Sequence, residues 1–172
     1  SITAQSPLQT PPTGQVTLSG LTQQNQILTA NATTLADING LGAFTYQWLR
    51  AGQAILGANQ STYFLTQSDV GKSISVTTSY TDGLGKLESV TSDATNLVSN
   101  VNDLPTGTVT LSGTAKQGQT LTASNNIVDV DGLGAITYQW LRNGEAIANV
   151  NSTNYTLTQA DADKTISVKA SY

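Results

Sequence analysis

The chain has 172 residues, of which 38% are hydrophobic and only 10% are charged, and its net charge at pH 7 is −4. The acidic balance argues against a nucleic-acid partner, because phosphates require a basic face, and it favours a cation. The complete lack of Cys, His and Met excludes disulfides, thiol or imidazole catalysis, and zinc sites with nitrogen or sulfur ligands.

Residues 1–11 are predicted to precede the first complete repeat, because Pro7 and Pro11 interrupt strand pairing. Ser1–Ser6 follows the pattern of residues 89–94, which belong to the last predicted strand of the first unit. We therefore interpret residues 1–11 as the tail of a preceding repeat or a linker, and the chain as a piece of a longer protein. No run of about 20 apolar residues is present, so no membrane insertion is predicted.

An internal repeat begins at Pro12. Residues 12–20 match residues 105–113, and the sequence Thr-Tyr-Gln-Trp-Leu-Arg at 45–50 recurs unchanged at 137–142, where the two copies hold the only two tryptophans. Periods this long, made of short alternating strands, indicate an array of whole domains. The predicted boundaries are repeat 1 over residues 12–99, a linker over 100–104 and repeat 2 over 105–172.

Short strands with alternating apolar residues follow one another within each unit. In the second unit, Asn143-Gly144 after the third strand is a strong signal for a type I′ hairpin turn. No stretch has a convincing helical period, so helices are expected to be confined to single turns. The strands predicted for the first unit lie around Val16 and Leu18, at 27–30, at 44–49, around Tyr63 and Leu65, at 74–80, and from Lys86 to Leu97.

With a short fourth strand after the hairpin turn that follows the third, each complete unit has seven short strands, and such spacing predicts an antiparallel β-sandwich. A tryptophan on the third strand, and Leu-Thr-x-x-Asp-x-Gly before the sixth, make each unit resemble an immunoglobulin-like domain. The fold class is therefore all-β: two tandem immunoglobulin-like antiparallel β-sandwich domains, the second lacking its last strand because Tyr172 is equivalent to Tyr80. Apolar residues are expected where such domains have a cysteine pair: Leu28 or Ala30 with Val76, and Leu121 or Ala123 with Val168.

Five motifs make the resemblance closer: Gly-Gln-x-Leu-Thr-Ala, Asp-x-Asp-Gly-Leu-Gly, Tyr-Gln-Trp-Leu-Arg-x-Gly, Tyr-x-Leu-Thr-Gln-x-Asp and Asn-Val-Asn-Asp-Leu-Pro. Together they resemble the tandem immunoglobulin-like or cadherin-like repeats of giant bacterial surface adhesins, the type I secreted proteins that often also carry RTX repeats. The resemblance covers nearly the whole chain. It implies a non-catalytic spacer on the bacterial cell surface, with neighbouring repeats of the same chain as its partners.

Topology places three acidic segments at the junction between the two units. In an immunoglobulin-like sandwich, the loop between the fifth and sixth strands lies where the chain leaves, and the loop between the second and third lies where the chain arrives. Calcium takes six to eight oxygen ligands, which such segments supply. The linker and the Asp-x-Asp loop also resemble the cadherin arrangement, in which calcium stiffens successive domains. The predicted calcium ligands are Asp69, Asn100, Asn102, Asp103, Asp129 and Asp131.

Plain turn chemistry is the alternative to calcium at these positions. Asp and Asn before Gly are ordinary turn formers, and Asp69 can hydrogen-bond backbone amides in its own loop. Unit one repeats part of the site with Asp37, Asn39 and Asp82, but Asn39 lowers the charge, so this site is expected to be weak or empty. Asp161 and Asp163 would await a third unit.

Other chemistries are less favoured by the residues. The Gly-Leu-Gly segments lack the following helix of a phosphate site, and Trp48 and Trp140 on the third strands are expected to be core residues and not a sugar platform. Lys72 and Lys164 would need to be buried to form isopeptide crosslinks. The acids lie on loops and not in a hydrolytic cleft, so no enzyme is predicted. The competing function is a carbohydrate- or protein-binding module, which a groove lined by Tyr63 or Tyr155 would favour.

The truncated second unit also predicts an unpaired strand edge, and such edges invite pairing with another chain. We expect that Ser1–Ser6 of another copy could complete this unit. The outcome would be head-to-tail self-association.

Overall fold

The computed structural model describes residues 4–172, which form two compact units, one extending to Val101 and the other running from Asn102 to Tyr172. Both are built of antiparallel strands. The helical segments of the described residues are two single 3₁₀ turns, Gln67–Asp69 and Gln159–Asp161, as expected from the lack of a helical period. The first three residues of the Ser1–Ser6 strand prediction lie outside the described residues.

Unit 1 is a sandwich of two sheets. One sheet has the strand order β1-β2-β5 and the other has the order β4-β3-β6-β7, with all named neighbours antiparallel. Two such antiparallel sheets packed face to face make an immunoglobulin-like sandwich, in which the short fourth strand pairs with the third. The strands are β1 (Thr17–Ser19), β2 (Ile27–Asn31), β3 (Thr45–Arg50), β4 (Gln53–Ala54), β5 (Thr62–Phe64), β6 (Ile74–Thr81) and β7 (Leu87–Thr91).

Unit 2 repeats this architecture without a counterpart of β7. Its sheets have the orders β8-β9-β12 and β11-β10-β13. The predicted fold class, including the missing last strand of the second domain, is thereby confirmed. The strands are β8 (Val109–Ser112), β9 (Thr120–Asn125), β10 (Thr137–Arg142), β11 (Glu145–Ala146), β12 (Asn154–Thr156) and β13 (Ile166–Ser171).

The two tryptophans lie at the centre of the two cores, and neither side chain is exposed. The indole N–H of Trp48 donates to the carbonyl of Gln60 at 2.8 Å, and that of Trp140 donates to the carbonyl of Ser152 at 2.8 Å. Burying an indole requires such a partner for its polar N–H. The prediction of core tryptophans is confirmed.

The hairpin turns after the third strands also agree with the sequence. Ala51 and Gly52 have φ angles of 46° and 79°, and Asn143 and Gly144 have φ angles of 46° and 85°. Two successive residues with positive φ characterise a type I′ turn, whose twist matches that of the flanking strands. The predicted turn at Asn143-Gly144 is confirmed, and Ala51 tolerates the same geometry in unit 1.

The last predicted strand of unit 1, Lys86 to Leu97, is wrong in length, because β7 ends at Thr91. The hydroxyl oxygen of Ser92 accepts a hydrogen bond from the amide of Val76 at 3.1 Å. In a regular strand pair a backbone carbonyl would accept this bond. The pairing with β6 becomes irregular there but continues, since the amide of Thr95 donates to the carbonyl of Ile74 at 2.8 Å. Val98 then forms a parallel bridge with Val70. The side chain of Val98 is only 2% exposed and belongs to the core of unit 1. Residues 95–101 therefore close one side of the sandwich.

Candidate functional site

The incoming chain of unit 1 is held by a relay of hydrogen bonds, which we call the N-terminal clamp. The amide of Thr10 donates to Oδ1 of Asn39 at 2.9 Å, and the amide of Asn39 donates to Oδ1 of Asp37 at 2.8 Å. The hydroxyl of Tyr80 donates to Oδ2 of Asp37 at 2.7 Å. Burial and this hydrogen bond raise the pKa of Tyr80, so Tyr80 stays a neutral donor. The clamp joins the preceding segment to the loop between β2 and β3.

Unit 2 has the same clamp with more negative charge. The amide of Asp103 donates to Oδ2 of Asp131 at 2.6 Å, and the amide of Asp131 donates to Oδ1 of Asp129 at 2.9 Å. The hydroxyl of Tyr172 donates to Oδ2 of Asp129, which raises the pKa of Tyr172 to about 12. Three residues of the predicted calcium set are thus linked within one unit, through the backbone amides of Asp103 and Asp131.

The two remaining linker residues of the predicted set are exposed. Asn102 donates its side-chain amide to the carbonyl of Asp103 at 2.9 Å. Asn100 lies in unit 1, close to its C-terminal end. The hydrogen bonds of the clamp hold with neutral Thr10 and Asn39 in unit 1, so they do not require the carboxylates of Asp103 and Asp131. Those added carboxylates are hard oxygen donors of the kind that calcium takes.

A second acidic group lies beside the clamp of unit 1, where carboxylate oxygens of Asp37, Asp82 and Glu88 lie within 4.8 Å of one another. The side-chain amide of Gln9 donates to Asp82 and lies 3.4 Å from Glu88, and Lys86 forms an ion pair with Glu88 at 2.6 Å. The Gln9 hydrogen bond is the main cause of a lowered pKa at Asp82. Gln9 and Lys86 therefore offset the negative charge of these carboxylates. That this site binds metal weakly or not at all stays a prediction.

Sequence reasoning named Asp37 and Asp82 in this cluster but missed Glu88. The signal was present in the turn at residues 82–85. A hairpin there places Glu88 directly opposite Tyr80, as the observed register between β6 and β7 shows. Tyr80 is the residue that contacts Asp37, so the strand register carries Glu88 to the same end of the sandwich.

Asp69 is fully buried, and its carboxylate accepts hydrogen bonds from three residues of unit 1. Nε of Arg50 donates at 2.7 Å, the hydroxyl of Tyr63 at 3.1 Å, and the amide and hydroxyl of Thr66 at 2.7 and 2.9 Å. Burial alone would raise the pKa of Asp69, but these donors outweigh it and lower the pKa. Asp69 thus has the loop-stabilising role that was the alternative to metal binding. Its role as a calcium ligand stays a prediction, and calcium there would compete with Arg50.

Asp161 repeats this arrangement in unit 2. Its carboxylate accepts hydrogen bonds from Nε of Arg142, the hydroxyl of Tyr155 and the amide of Thr158, each at 2.7 Å. Burial would raise the pKa of Asp161, but the hydrogen bonds dominate and lower it from 3.8 to about 2. The Arg and the Asp are 19 residues apart in both units, so the pair is part of the repeat. Sequence reasoning did not connect the two residues.

The lowered pKa values predict a loss of stability in acid. A carboxyl group with a lower pKa in the folded than in the unfolded state contributes stability above its unfolded pKa, and that contribution is lost as the pH falls through the folded pKa. For Asp161 the loss is expected from about pH 4 down to about pH 2. Asp69, whose pKa is also lowered, is expected to add to the loss as the pH falls below the pKa of an unfolded aspartate. Urea unfolding midpoints across this range measure it.

The double variant Asp69→Asn and Asp161→Asn is the matched control, and its midpoint should fall less steeply over the same range. A wild-type midpoint that is constant down to about pH 2 would contradict this account of the two carboxylates.

The described residues give little support to the other functions considered from the sequence, an isopeptide crosslink and a binding groove lined by Tyr63 or Tyr155. Lys72 and Lys164 are exposed, whereas an isopeptide crosslink would need a buried lysine. Tyr63 stacks on Trp48 with 5.5 Å between ring centroids, and Tyr155 is only 8% exposed against Trp140. These tyrosines are parts of the core and of the Asp69 and Asp161 networks. The described part of the chain holds no helix that is both long enough and apolar enough to cross a membrane.

Comparison with known proteins adds structural likenesses. No family model and no curated protein matches the chain. It is similar to a structure of three N-terminal domains of the bacteriophage RB49 Highly Immunogenic Outer Capsid protein (Hoc), with 20% identity, a TM-score of 0.36, and 91% of this chain and 53% of that chain covered. It is also similar to the tandem Ig repeats of Dlar, with 9% identity, a TM-score of 0.25, and 94% and 90% covered. The chain thus spans about half the length of the Hoc structure.

Proposed function

We propose that the chain is a non-catalytic spacer from the extracellular part of a bacterial surface adhesin. The observation that carries this proposal is the N-terminal clamp, which recurs in both units and acts on the segment that precedes each one. A spacer needs each repeat to hold its neighbouring segment in a defined way. The resemblance of the motifs to adhesin repeats supports the same function.

We further propose that calcium binds at the start of unit 2 and stiffens the linker. Asn102, Asp103, Asp129 and Asp131 would supply the oxygen donors there. The support is the contrast between the clamps: unit 1 has neutral Thr10 and Asn39 where unit 2 has Asp103 and Asp131. Carboxylate and amide oxygens are the ligands that calcium prefers. Asn100 and Asp69 remain in the predicted set.

Adding calcium to the metal-free chain is expected to raise its melting temperature and to narrow the distribution of interdomain distances. Binding to the folded state stabilises it by mass action. The measurements are thermal unfolding and small-angle scattering during a calcium titration. A chain whose melting temperature and scattering do not change up to millimolar calcium would contradict the calcium proposal.

The variant Asp131→Asn is the matched control for this titration, because unit 1 shows that asparagine sustains the clamp at this position. It keeps an acceptor for the Asp103 amide and removes one charge. We expect it to fold normally and to respond more weakly to calcium. A full calcium response in this variant would place the ion elsewhere.

A further inference from the structure

The segment that leaves unit 1 is held by a buried glutamine. Oε1 of Gln24 accepts a hydrogen bond from the backbone amide of Val101 at 3.0 Å, and Gln24 is only 3% exposed. A side chain buried this deeply is held in one place by the close packing of its neighbours. The amide of Val101 is therefore fixed to the body of unit 1.

Backbone hydrogen bonds hold the same segment just before Val101. The amide of Gln24 donates to the carbonyl of Ser99 at 2.9 Å, and the amide of Ser99 donates to the carbonyl of Thr22 at 3.1 Å. Gln23 and Ser99 form a parallel bridge. Unit 1 thus holds its outgoing chain over several residues and not at a single point.

Unit 2 holds the chain again at Asp103, through its N-terminal clamp. The amide of Asp103 donates to Oδ2 of Asp131 at 2.6 Å. Further along, backbone hydrogen bonds join Thr106 and Val128 in both directions, at 2.8 and 2.9 Å. The boundary between the two units falls between Val101 and Asn102. Asn102 therefore lies between two anchored amides, one in each unit.

The contacts of Asn102 are of a different kind. Its side chain is exposed and donates to the carbonyl of the next residue, Asp103. In the described part of the chain, the amide of Asn102 donates to no backbone carbonyl. Because peptide planes are rigid, the soft torsions between the two anchored amides are the φ and ψ angles of Val101 and Asn102.

We propose that the joint between the two units bends only about Val101 and Asn102, and that Gln24 and Asp131 set this limit without a metal. Within the proposed spacer function, on which this inference rests, these residues define the part of the joint that moves. A short span restricts the units more than a longer one, because every further residue adds two soft dihedral angles. Calcium at the start of unit 2 would then stiffen a joint that is already short.

NMR relaxation of the backbone amides, measured on the whole chain in a chelator, tests the two anchors. We expect order parameters of about 0.85, typical of rigid backbone, at Val101 and Asp103, and a lower value at Asn102. Gln24→Leu removes the acceptor but keeps a side chain of similar size. In this variant the order parameter of Val101 should fall below about 0.6, the range of flexible backbone.

Two further variants make this experiment specific. Gln26→Leu is the matched control, because Gln26 lies in the same segment but is exposed, and it should leave the order parameter of Val101 unchanged. Asp131→Ala removes the second acceptor. Since Asp131 is exposed, this variant is expected to fold, with a lower order parameter at Asp103 and an unchanged one at Val101.

A distance measurement tests the consequence for the joint. The chain has no cysteine, so Asn59→Cys and Asn151→Cys, at exposed counterpart positions of the two units, take one spin label each. The distribution of distances between the labels should broaden when Gln24→Leu or Asp131→Ala is added, because the flexible span becomes longer. It should not broaden with Gln26→Leu.

Three outcomes would overturn the proposal: a low order parameter at Val101 or Asp103 of the unmodified chain in chelator, no change at these amides when their acceptors are removed, and equal broadening with Gln26→Leu. A joint that becomes ordered only when calcium is added would overturn this inference and leave the calcium proposal standing. An ordered joint that calcium does not change would do the reverse.

Discussion

Replacing Asp69 by alanine is expected to lower the free energy of unfolding of unit 1 by about 3 kcal/mol. The substitution leaves Arg50 without its carboxylate partner, and the amide of Thr66 and the hydroxyl of Tyr63 without their acceptor. Removing one member of a buried ion pair usually costs 3–5 kcal/mol, and the lower end of this range applies because the side chain of Arg50 is 30% exposed and can be rehydrated.

Urea unfolding followed through NMR cross-peaks of β2 and β6 measures this effect on unit 1. Asp93→Ala is the control, because Asp93 is exposed in the same unit, and a change of less than about 0.5 kcal/mol is expected there. Asp161→Ala should reproduce the loss in unit 2, where the same network recurs.

The Asp69→Ala variant also distinguishes the two interpretations of Asp69, as a buried structural residue or as a calcium ligand. If Asp69 acts through Arg50, Tyr63 and Thr66, the loss is the same in chelator and in calcium. A loss that appears only in calcium would identify Asp69 as a metal ligand and contradict the structural role. Unchanged stability in chelator would show that the buried network contributes little.

The second large effect on stability is expected for the substitution Val98→Asp. This substitution places a carboxylate among the buried apolar side chains of the core of unit 1. We expect a loss of about 4 kcal/mol in the stability of unit 1, because an unpaired buried charge is among the most destabilising changes in a core. The measurement is urea unfolding with the same NMR cross-peaks.

Leu97→Asp is a closely matched control for this substitution. Leu97 precedes Val98 directly, but 65% of its surface is exposed, so its replacement should change stability by less than about 0.5 kcal/mol. Similar losses for both variants would contradict the closing role of the Val98 side chain. A large loss of stability for Val98→Asp with little change for Leu97→Asp would support it.

The fold was predictable because the two repeats show the same pattern twice. Trp48 and Trp140 identified the third strands, and Asn143-Gly144 identified the hairpin turn. These features are local, or they depend on an alternation that is visible within one strand. The length of β7 was not predictable in the same way, because the hydroxyl of Ser92 replaces a backbone acceptor and makes the pairing with β6 irregular from that residue on.

The candidate sites were less predictable, since they depend on contacts between distant residues. The partnership of Arg50 with Asp69 requires the end of β3 to lie beneath the turn after β5. Its only sequence signal is the spacing shared with Arg142 and Asp161. The bridge between Val98 and Val70 is parallel and isolated, so neither strand alternation nor a turn motif reveals it.

The N-terminal clamp also bears on how such repeats can diverge after duplication. Its first hydrogen bond is donated by the backbone amide of Thr10 or Asp103, and the side chain of the following loop accepts it. The identity of the donor residue is therefore free to drift, with proline as the one excluded choice because it has no N–H. Successive repeats can therefore carry different side chains at this position while the backbone of the preceding segment stays bound. The charge at the start of each repeat can thus change independently of the others.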